Sequence, residues 1–501
     1  MIKFEEQIIK PLIDSIKKNR DNNAFYIDGS YYTYDTFAKR ISSIRTKIQS
    51  LGINDQICAI AIHDDLDTYA SIFALWFEGK SYVPLHPNQP LERNMGIINQ
   101  VGITIVLDSE EVSAFDSKVN ILNTQICEYL EDNLENSIVA NEDELAYILF
   151  TSGSTGVPKG VQITRANIAS FMDSFWKAGI KVDETDRCLQ VFDLTFDVSV
   201  QSYLVALTRG ACVYTVPYGG VKYLYAASLI QEQKITFGAM APSMLTYLRP
   251  YFDEFDATSM KTTILTAEAC PVEIMEEWFK CASNTEIYDF YGPTEATIYC
   301  TYYKLTKGGN NLSQNGIISI GIPMANVDAI IIDDEGNIIK DSTKGELCVA
   351  GSQVTPGYWN NPEKNESSFF IKNVDGKDLR FYHTGDLCYY GEGNNILYCG
   401  RIDQQAKIQG FRVELGEIEF HAREFYNNDI RVIAIAFDND KNLTEIALFV
   451  ESKEIEEQKL IEYLRSKMPH YMIPSRIICL EQFPLNKSEK IDRNALKNTL
   501  K

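Results

Sequence analysis

The chain has 501 residues, of which 45% are hydrophobic and 23% are charged, a composition that is typical of globular proteins and excludes a disordered, collagen-like or coiled-coil chain. Its formal net charge of −22 argues against nucleic acid or an anionic membrane as a partner. The sequence shows no run of about 18 apolar residues and no secretory leader pattern, so we expect a cytoplasmic protein and a monomer.

The predicted secondary structure begins with an amphipathic helix whose apolar residues lie between Phe4 and Ile16. Strands are then predicted over 57–62, 81–85, 103–107, 188–191, 212–216, 263–265 and 287–290, and helices over 66–77, 95–100, 199–207, 229–233 and 271–279. This alternation along the first part of the chain predicts layered α/β structure with largely parallel sheets.

From about residue 316 to 400 the pattern becomes all-β, with turns rich in glycine and asparagine. After residue 410 a short α+β pattern follows, with helices over 415–423 and 454–467 and strands over 431–437, 444–450 and 476–480. The predicted fold class is therefore α/β: a large N-terminal domain of layered α/β subdomains with a small β subdomain at about 316–400, and a small α+β C-terminal domain. The segment 400–410 is the predicted boundary.

The eleven cysteines are too few for a disulfide scaffold in a chain of this length, and they do not form a Cys-x-x-Cys pair. Five of them stand in apolar or strand-like runs, which predicts reduced, buried thiols: Cys58, Cys188, Cys212, Cys300 and Cys348. The five histidines are scattered along the chain, so the sequence does not indicate a zinc site.

The most distinctive stretch is the loop Thr151–Gly160, which follows a short apolar strand and precedes a β-like segment. Its glycines, its hydroxyl side chains and Lys159 offer exposed N–H groups, O–H donors and a positive charge, which suit an anion such as phosphate. The loop does not match the Walker pattern, because Pro158 precedes Lys159 and Gly160 follows it. Pro158 also argues against a helix that starts inside the loop.

The loop resembles the phosphate-binding signature of the adenylate-forming superfamily, which includes acyl-CoA synthetases, luciferases and the adenylation domains of nonribosomal peptide synthetases. Four further stretches match the motifs of this superfamily in the expected order, so that the resemblance covers nearly the whole chain: Phe290–Glu295, Tyr382–Leu387, Gly400–Glu419 and Leu485–Leu496. The segment Gly160–Thr164 and the chain length are similar to stand-alone amino acid adenylating enzymes such as the D-alanine–carrier protein ligases.

The resemblance implies an enzyme that joins an amino acid carboxylate to the α-phosphorus of ATP, with Mg²⁺ as cofactor and pyrophosphate as the leaving group. Two anions meet in this reaction, so the site needs cations and fixed hydrogen-bond donors. The catalytic residues implied are Glu295 as magnesium ligand, Thr294 as α-phosphate contact and Lys490. The residues implied for nucleotide binding are Thr151, Ser152, Gly153, Ser154, Thr155, Lys159, Asp289, Phe290, Tyr291, Gly292, Thr294, Asp386, Tyr398, Arg401 and Lys490.

Within that set, Asp386 resembles the ribose ligand and Tyr291 the residue that stacks on adenine. Lys490 would donate to both reacting anions, which aligns them and neutralises their charge. Its segment has Ser488 and Glu489 where the family usually has Asn-Gly, and Lys487 is the alternative lysine.

Asp197 lies in a segment that resembles the part of the family that binds the substrate's α-ammonium group. A carboxylate in an apolar pocket is costly unless a cation pairs with it; a role as a helix N-cap is the structural alternative. Because Phe290 and Tyr299 are bulky, we expect a small neutral amino acid (alanine of either hand, glycine, serine or cysteine), with proline as the alternative. The implied pocket residues are Asp197, Val198, Gln201, Ala239, Leu265, Ala267, Phe290, Ile298 and Tyr299.

The resemblance also implies a second half-reaction, in which the aminoacyl group passes to the phosphopantetheine thiol of a carrier protein. Asp403 resembles the hinge about which a mobile C-terminal domain, 403–501, swings relative to the adenylation core, 1–402. Few residues follow Arg493, so we expect a separate, stand-alone carrier. The alternatives are an acyl-CoA ligase acting on a small carboxylic acid and a non-catalytic nucleotide-binding protein, and the presence of both Lys490 and Glu295 argues against the latter.

Overall fold

The computed structural model describes residues 2–115, 119–125, 134–135, 137–138, 140–153, 156–217, 221–485 and 491–500. The chain divides into two compact units. The first comprises Met1–Pro87, Val101–Leu149 and Gly160–Ile402, and the second comprises Asn88–Gln100, Phe150–Lys159 and Asp403–Lys501. Within the described ranges, no helix combines the length and the apolar character that crossing a membrane requires.

The α-helices of the described residues are, in chain order, α1 (Lys10–Lys18), α2 (Tyr34–Ser50), α3 (Leu66–Phe77), α4 (Leu91–Val101), α5 (Arg165–Lys177), α6 (Asp197–Leu207), α7 (Lys222–Glu232), α8 (Pro242–Leu248), α9 (Val272–Cys281), α10 (Pro362–Ser368), α11 (Leu415–Phe425), α12 (Glu457–Lys467) and α13 (Arg493–Asn498). A π-helical turn, Glu5–Ile9, precedes α1, and short 3-10 turns lie at Arg249–Tyr251, Thr294–Ala296, Glu392–Asn394 and His470–Met472.

The strands are β1 (Asn23–Ile27), β2 (Ser30–Thr33), β3 (Ile57–Ala61), β4 (Ser81–Leu85), β5 (Ile105–Asp108), β6 (Asn120–Asn123), β7 (Leu145–Thr151), β8 (Lys159–Thr164), β9 (Arg187–Gln190), β10 (Cys212–Thr215), β11 (Phe237–Met240), β12 (Thr262–Leu265), β13 (Glu286–Tyr291) and β14 (Thr301–Lys304). They continue as β15 (Ser313–Gln314), β16 (Ile317–Ile318), β17 (Ile322–Pro323), β18 (Val327–Ile332), β19 (Ile338–Ile339), β20 (Gly345–Gly351), β21 (Phe369–Val374), β22 (Lys377–Tyr390), β23 (Ile396–Arg401), β24 (Gln405–Ile408), β25 (Phe411–Glu414), β26 (Val432–Asp438), β27 (Thr444–Glu451) and β28 (Arg476–Leu480).

The α/β fold class predicted from the sequence is confirmed, and α3 and β4 have the predicted bounds. Helix α3 begins at the predicted residue because Oδ1 of Asp65 accepts the N–H of Thr68 at 2.8 Å and caps it. The prediction of an all-β pattern over 316–400 is wrong in one place, because α10 lies inside this range. Asn361 caps α10 through the N–H of Lys364, and Pro362 stands in the first turn, where its missing N–H costs nothing.

The residues predicted to be buried in the first unit lie in its core. The π-helical turn and α1 bury Ile8, Leu12 and Ile16, which confirms the predicted N-terminal helix and its apolar face. Full burial of such a side chain contributes about 1.5–3 kcal/mol to stability. The five cysteines singled out in the sequence are buried, and every cysteine in the described part of the chain is free.

The largest sheet of the first unit has the strand order β17-β14-β13-β12-β11-β9-β10-β1-β2. Its central strands, from β13 to β1 in this order, run parallel to one another. Parallel pairing brings the carboxyl ends of β9, β11, β12 and β13 to the same edge of the sheet. In open α/β sheets this is the edge at which ligands bind.

Three further sheets belong to the first unit, one of which is the two-stranded antiparallel pair β15-β16. Another has the order β6-β5-β3-β4-β7-β8, and the third is an antiparallel sheet with the order β19-β18-β20-β22-β21, in which β23 pairs with β22. The ladder between β20 and β22 contains a bulge between the pairs Glu346–Leu387 and Cys348–His383. Residues 384–386 of β22 there stand opposite Leu347, so this part of β22 projects from the regular ladder.

The second unit contains α4, the loop 150–159 and the C-terminal residues from Asp403 onward. Strands β24 and β25 form a hairpin, and β26, β27 and β28 form a mixed sheet in which β27 runs antiparallel to β26 and parallel to β28. Helix α11 packs against β26 and α12, around a core that includes Ile418, Leu448 and Leu460. The α+β pattern predicted after residue 410 is therefore confirmed.

Candidate active site

The residues implied to bind the amino acid lie at the carboxyl edge of the largest sheet. Helix α6 follows β9, and the other positions belong to β11, β12 and β13 or to the turns after β12 and β13. All are buried except the half-buried Ala267. They are Asp197, Val198 and Gln201 in α6, Ala239 in β11, Leu265 in β12, Ala267 after it, Phe290 in β13, and Ile298 and Tyr299 in the turn beyond β13.

Asp197 is the first residue of α6, and its relative exposure is 7%. Oδ2 of its carboxyl group has no hydrogen-bond partner among the described residues. Burial raises the pKa of Asp197 to about 6, and the charge of Glu295 raises it further, while the polar groups of Thr294, Ile298 and Val198 oppose the rise. The N-cap position of α6 belongs to Phe196, so Asp197 is not the cap of this helix. The site therefore holds a carboxyl group that is incompletely paired among the described residues.

The backbone is strained at two of the implied pocket positions. Ala267 has a φ of +69° and Ile298 a φ of +72°, in the left-handed region that β-branched residues above all avoid. Gln353 holds the turn after β13, which contains Ile298. Its side-chain Nε2 donates to the backbone carbonyl of Tyr299 at 2.6 Å, and its backbone carbonyl accepts the hydroxyl of Thr297 at 2.5 Å. Strain of this kind persists only where the surroundings enforce it, and it is common in ligand sites.

Phe290 and Tyr299 are in direct contact, with ring centroids 4.9 Å apart. The hydroxyl of Tyr299 donates to Oε1 of Gln201 at 3.3 Å, whereas Nε2 of Gln201 has no hydrogen-bond partner within the described ranges. Tyr147 lies near Asp197, and its buried hydroxyl likewise has no partner among the described residues. Buried polar groups are normally hydrogen-bonded, so these groups can bind a polar ligand.

Glu295 lies in the 3-10 turn directly after β13, and its side chain is fully buried. The hydroxyl of Tyr358 donates to its Oε1 at 2.7 Å. The charge of Glu295 raises the pKa of Asp197, so the two carboxyl groups are close enough to interact. Gly292 precedes this turn at a position with no space for a side chain, since a Cβ there would stand 2.5 Å from the carbonyl oxygen of Ile298.

Asp386 lies in β22 opposite Arg401 of β23, and its carboxylate is buried. Its Oδ1 accepts from Arg401 at 2.8 Å, and its Oδ2 accepts the hydroxyl of Tyr291 at 2.5 Å. Three residues implied for nucleotide binding thus form one hydrogen-bonded cluster. Nearby in sequence, Asp289 is buried in β13 and Tyr398 is half-buried in β23.

The loop implied to bind phosphate belongs to the second unit, where acidic residues of the C-terminal segment engage its donors. Nζ of Lys159 lies 2.7 Å from Oε1 of Glu414, and the N–H of Gly153 donates to Oε2 of Glu417 at 2.9 Å. Oγ of Ser152 accepts the N–H of Glu414 at 3.0 Å. The lysine and the glycine N–H therefore hold carboxylates, which are anions with oxygen acceptors like those of phosphate.

Comparison with known sequences identifies the family. The profile described as AMP-binding enzyme matches residues 12–359. The chain belongs to the AMP-binding enzyme family.

Curated relatives of this AMP-binding enzyme include a tyrocidine synthase and a zwittermicin A synthase. The chain is 31% identical to tyrocidine synthase 3 of Brevibacillus parabrevis, over 93% of the chain and 7% of that protein. It is 29% identical to the zwittermicin A synthase ZmaJ of Bacillus cereus, over 98% of the chain and 93% of that protein. The chain thus spans a small part of the first relative and nearly all of the second.

Solved structures show that the fold is that of an adenylation domain. The Vibrio cholerae adenylation domain AlmE, in complex with glycyl-adenosine-5′-phosphate, matches with a TM-score of 0.87 and 23% identity over 98% of this chain and 97% of that one. The artificially fused adenylation–PCP di-domain NpsA-ThdA of Klebsiella oxytoca matches with a TM-score of 0.83 and 22% identity over 93% and 92% of the two chains. At these identities the likeness concerns the fold.

Of the remaining implied residues of this AMP-binding enzyme, the structure describes Thr151 and Asp403. Thr151 is half-buried at the end of β7, and its hydroxyl donates to the carbonyl of Lys159 at 3.5 Å. Asp403, the implied hinge, is exposed and begins the long C-terminal segment of the second unit. Ser154, Thr155 and Lys490 lie outside the described residues.

Sequence reasoning missed four residues that hold the site. Gln353 and Tyr358 act on the turn around Glu295 from positions more than fifty residues away along the chain, and their sequence context carries no signal of this contact. Glu414 and Glu417 do carry a signal, since two acidic residues three apart at the start of a helix share one face.

Proposed function

We propose that this AMP-binding enzyme activates an amino acid with ATP. A carboxylate oxygen of the amino acid attacks the α-phosphorus, the bond from that phosphorus to the bridging oxygen of the β-phosphate breaks, and pyrophosphate leaves. The observation that carries the proposal is the buried Asp197, whose Oδ2 has no partner among the described residues. A buried carboxylate is stable when a cation pairs with it, and the α-ammonium of an amino acid is such a cation.

The same residues support a small neutral substrate. Phe290 and Tyr299 pack against each other and against neighbouring aromatic rings, so side chains of the protein already fill this space. Apart from Asp197, the implied pocket residues are uncharged, and an ionised substrate side chain would therefore lack a counter-ion there. We infer that alanine of either hand, glycine, serine or cysteine is the substrate, with proline as the alternative. The AlmE structure contains a glycyl adenylate, which is a small aminoacyl group.

Residues of the matched motifs would bind the nucleotide. In the first unit, Asp386 has the acceptor oxygens that ribose hydroxyls need, and Arg401 fixes its orientation at 2.8 Å. In the second unit, Lys159 and Gly153 would exchange their carboxylate partners for phosphate oxygens. Lys490 would donate to both reacting anions, the amino acid carboxylate and the α-phosphate. Because its interaction with these anions would strengthen in the transition state, it would accelerate the reaction as well as bind the substrates.

Glu295 fits the role of magnesium ligand. Mg²⁺ binds hard oxygen ligands, commonly one or two carboxylates together with phosphate oxygens and water. Glu295 supplies such oxygens from a fully buried side chain, and the hydroxyl of Tyr358 fixes the carboxylate through Oε1. When bound, the ion would neutralise phosphate charge. Thr294, next to Glu295, would place its hydroxyl near the α-phosphate.

We further propose that the aminoacyl group then passes to a carrier protein. The thiol of a phosphopantetheine arm would attack the acyl carbon, the bond to the phosphate oxygen of AMP would break, and a thioester would form. The NpsA-ThdA structure joins an adenylation domain to a PCP domain, and this supports a carrier as partner. Asp403 would act as the hinge for the domain rotation between the two half-reactions. It is exposed, and along the chain it is the first residue of the C-terminal segment of the second unit.

A matched pair of substrates tests amino acid activation against the acyl-CoA ligase alternative. ATP–pyrophosphate exchange is measured with alanine of either hand and with propionate, which has the same carbon skeleton without the ammonium group. We expect exchange with the amino acid and little with propionate. Exchange with propionate at an equal rate, together with CoA-dependent release of AMP, would favour the acyl-CoA ligase instead. A wider screen over L- and D-amino acids then identifies the substrate.

A further inference from the structure

Three side chains of kinds that bind metals meet on strands β20 and β22. Glu346, Cys348 and His383 each offer one ligand atom, and these atoms all lie within 4.8 Å of one another. Nδ1 of His383 is 2.8 Å from Oε2 of Glu346 and 3.7 Å from Sγ of Cys348. The reaction proposed above uses none of the three.

The sheet itself creates this cluster. Glu346 and Cys348 are two residues apart on β20, so their side chains point to the same face of the strand. Cys348 stands opposite His383 in the ladder between β20 and β22, where paired side chains are neighbours. The bulge at residues 384–386 begins directly after His383. The ligands therefore come from separate strands, and for this reason their spacing in the sequence does not indicate a zinc site.

We propose that Glu346, Cys348 and His383 bind a divalent transition-metal ion, best Zn²⁺, with water completing the coordination. Zinc accepts thiolate, imidazole and carboxylate ligands in a tetrahedral arrangement. Zn–S bonds of about 2.3 Å and Zn–N or Zn–O bonds of about 2.1 Å place tetrahedral sulfur and nitrogen ligands about 3.6 Å apart. The distance from Sγ of Cys348 to Nδ1 of His383 is 3.7 Å and meets this requirement.

The contact between His383 and Glu346 has to lengthen when the ion binds. Tetrahedral nitrogen and oxygen ligands stand about 3.4 Å apart, whereas the hydrogen-bonded atoms are 2.8 Å apart. The ion would replace the proton that joins Nδ1 of His383 to Oε2 of Glu346. A small side-chain rotation would move the two atoms apart to the separation that the ion requires. This adjustment is feasible because His383 and Glu346 are partly exposed, with side-chain exposures of 34% and 20%.

The surroundings orient the ligands as in known metal sites. Oε1 of Glu346 accepts the N–H of Gly385 at 2.9 Å, which leaves Oε2 directed at His383. The ring of Phe370 packs on the ring of His383 with centroids 4.4 Å apart and limits its rotation. The thiol of Cys348 would lose its proton to solvent when the ion binds.

The position of the cluster suggests what the ion would do. It would join β20 to β22 at the start of the bulge that carries Asp386, and Glu346 already holds this bulge through the N–H of Gly385. A bound ion would therefore stabilise the turn that presents Asp386. It would act as a structural ion, because Glu346, Cys348 and His383 take no part in the proposed reaction.

Cobalt substitution of the full chain tests the site without an activity assay. The protein is stripped with a chelator under reducing conditions, titrated with Co²⁺, and followed by the near-ultraviolet charge-transfer absorption that thiolate–cobalt bonds produce. Zn²⁺ competition then yields the zinc affinity. We expect saturation at about one equivalent per chain. Cys348→Ser and His383→Asn each remove a ligand, so each should lose more affinity than the roughly 10–100-fold that follows from loss of an outer-shell partner.

Cys388→Ser is the matched control, since Cys388 is a buried free thiol of the same strand β22 outside the cluster. It is expected to leave the cobalt spectrum and the zinc affinity unchanged. If Cys348→Ser does not fold, His383→Asn replaces a partly exposed side chain and keeps the test valid. Absence of the charge-transfer band in the native chain would overturn the proposal. Equal zinc affinity in the native chain and in the folded His383→Asn variant would also overturn it.

Discussion

Replacement of Asp197 by asparagine is expected to stabilise the protein and to abolish amino acid activation at the same time. Burial raises the pKa of Asp197 to about 6, whereas aspartate in an unfolded chain titrates at about 3.9. A difference of about two pKa units is worth about 3 kcal/mol. Near neutral pH the native protein therefore carries a charged carboxyl group that costs about 3 kcal/mol more in the fold than in the unfolded chain.

The direction of the pH dependence follows from the raised pKa. Between about pH 4 and pH 6 the native state holds the Asp197 proton while the unfolded state has released it, so this group lowers the free energy of unfolding as pH rises. Asparagine has nearly the same shape and does not ionise. The stability gained in Asp197→Asn should thus grow from near zero at about pH 4 to at most about 3 kcal/mol at pH 7, reduced by the hydrogen bonds that its amide fails to make.

Thermal unfolding across this pH range, together with ATP–pyrophosphate exchange, measures both effects. Asp64→Asn is the matched control: burial raises the pKa of Asp64 to about 6 as well, and its Oδ2 also has no partner within the described ranges. The control should be stabilised in the same way and still exchange pyrophosphate. An Asp197→Asn variant that is less stable than the native protein at pH 7, or that still activates amino acids, would show that the fold itself satisfies this carboxylate.

Four other predictions follow from the proposed roles. Lys490→Ala should lower pyrophosphate exchange by about 100-fold or more while ATP binding, followed by calorimetry, persists; near-normal exchange would contradict its role. Glu414→Gln removes the carboxylate that lies 2.7 Å from Nζ of Lys159, so the KM for ATP should fall roughly 3–10-fold, an effect of about 1 kcal/mol. An unchanged KM would show that the ion pair between Lys159 and Glu414 does not compete with ATP phosphate for the lysine. Asp403→Pro fixes φ at the hinge and should spare adenylation but block thioester formation on a carrier, whereas equal loss of both steps would speak against a hinge. Tyr299→Ala should extend activation to longer aliphatic side chains, and a substrate profile like that of the native enzyme would refute the steric role.

Local sequence patterns predicted only part of the secondary structure, and α2 and α5, for example, were not among the predicted elements. Helix α3 and strand β4 have the predicted bounds because a capping aspartate and continuous apolar runs define them within a few residues. Helix α10 was not predicted, since six of its seven residues are polar and the segment carries no apolar period. Its cap Asn361 and its first-turn proline Pro362 are the signals that could have found it.

The candidate site was only partly accessible to sequence reasoning. The resemblance picked out Glu295 and Asp386 because they stand in ordered motifs, and Asp197 because its segment resembles the part of the family that binds the α-ammonium group. It did not reveal that Gln353 enforces the left-handed backbone at Ile298, because that contact joins residues far apart in the chain. Lys490 and two hydroxyl residues of the loop lie outside the described residues, so their assignment rests on the motifs.

The sequence by itself determined the α/β class, the order of the elements and the types of chemical group available, because periodicity, caps and motifs act over a few residues. Tertiary structure alone decided how these groups are paired. It buried the carboxyl group of Asp197 and raised its pKa, directed Glu414 to Lys159, and brought Glu346, Cys348 and His383 together across two strands. The reason is physical: burial, charge interaction and ligand geometry depend on distances in space, and these distances arise only when strand pairing and packing bring remote residues into contact.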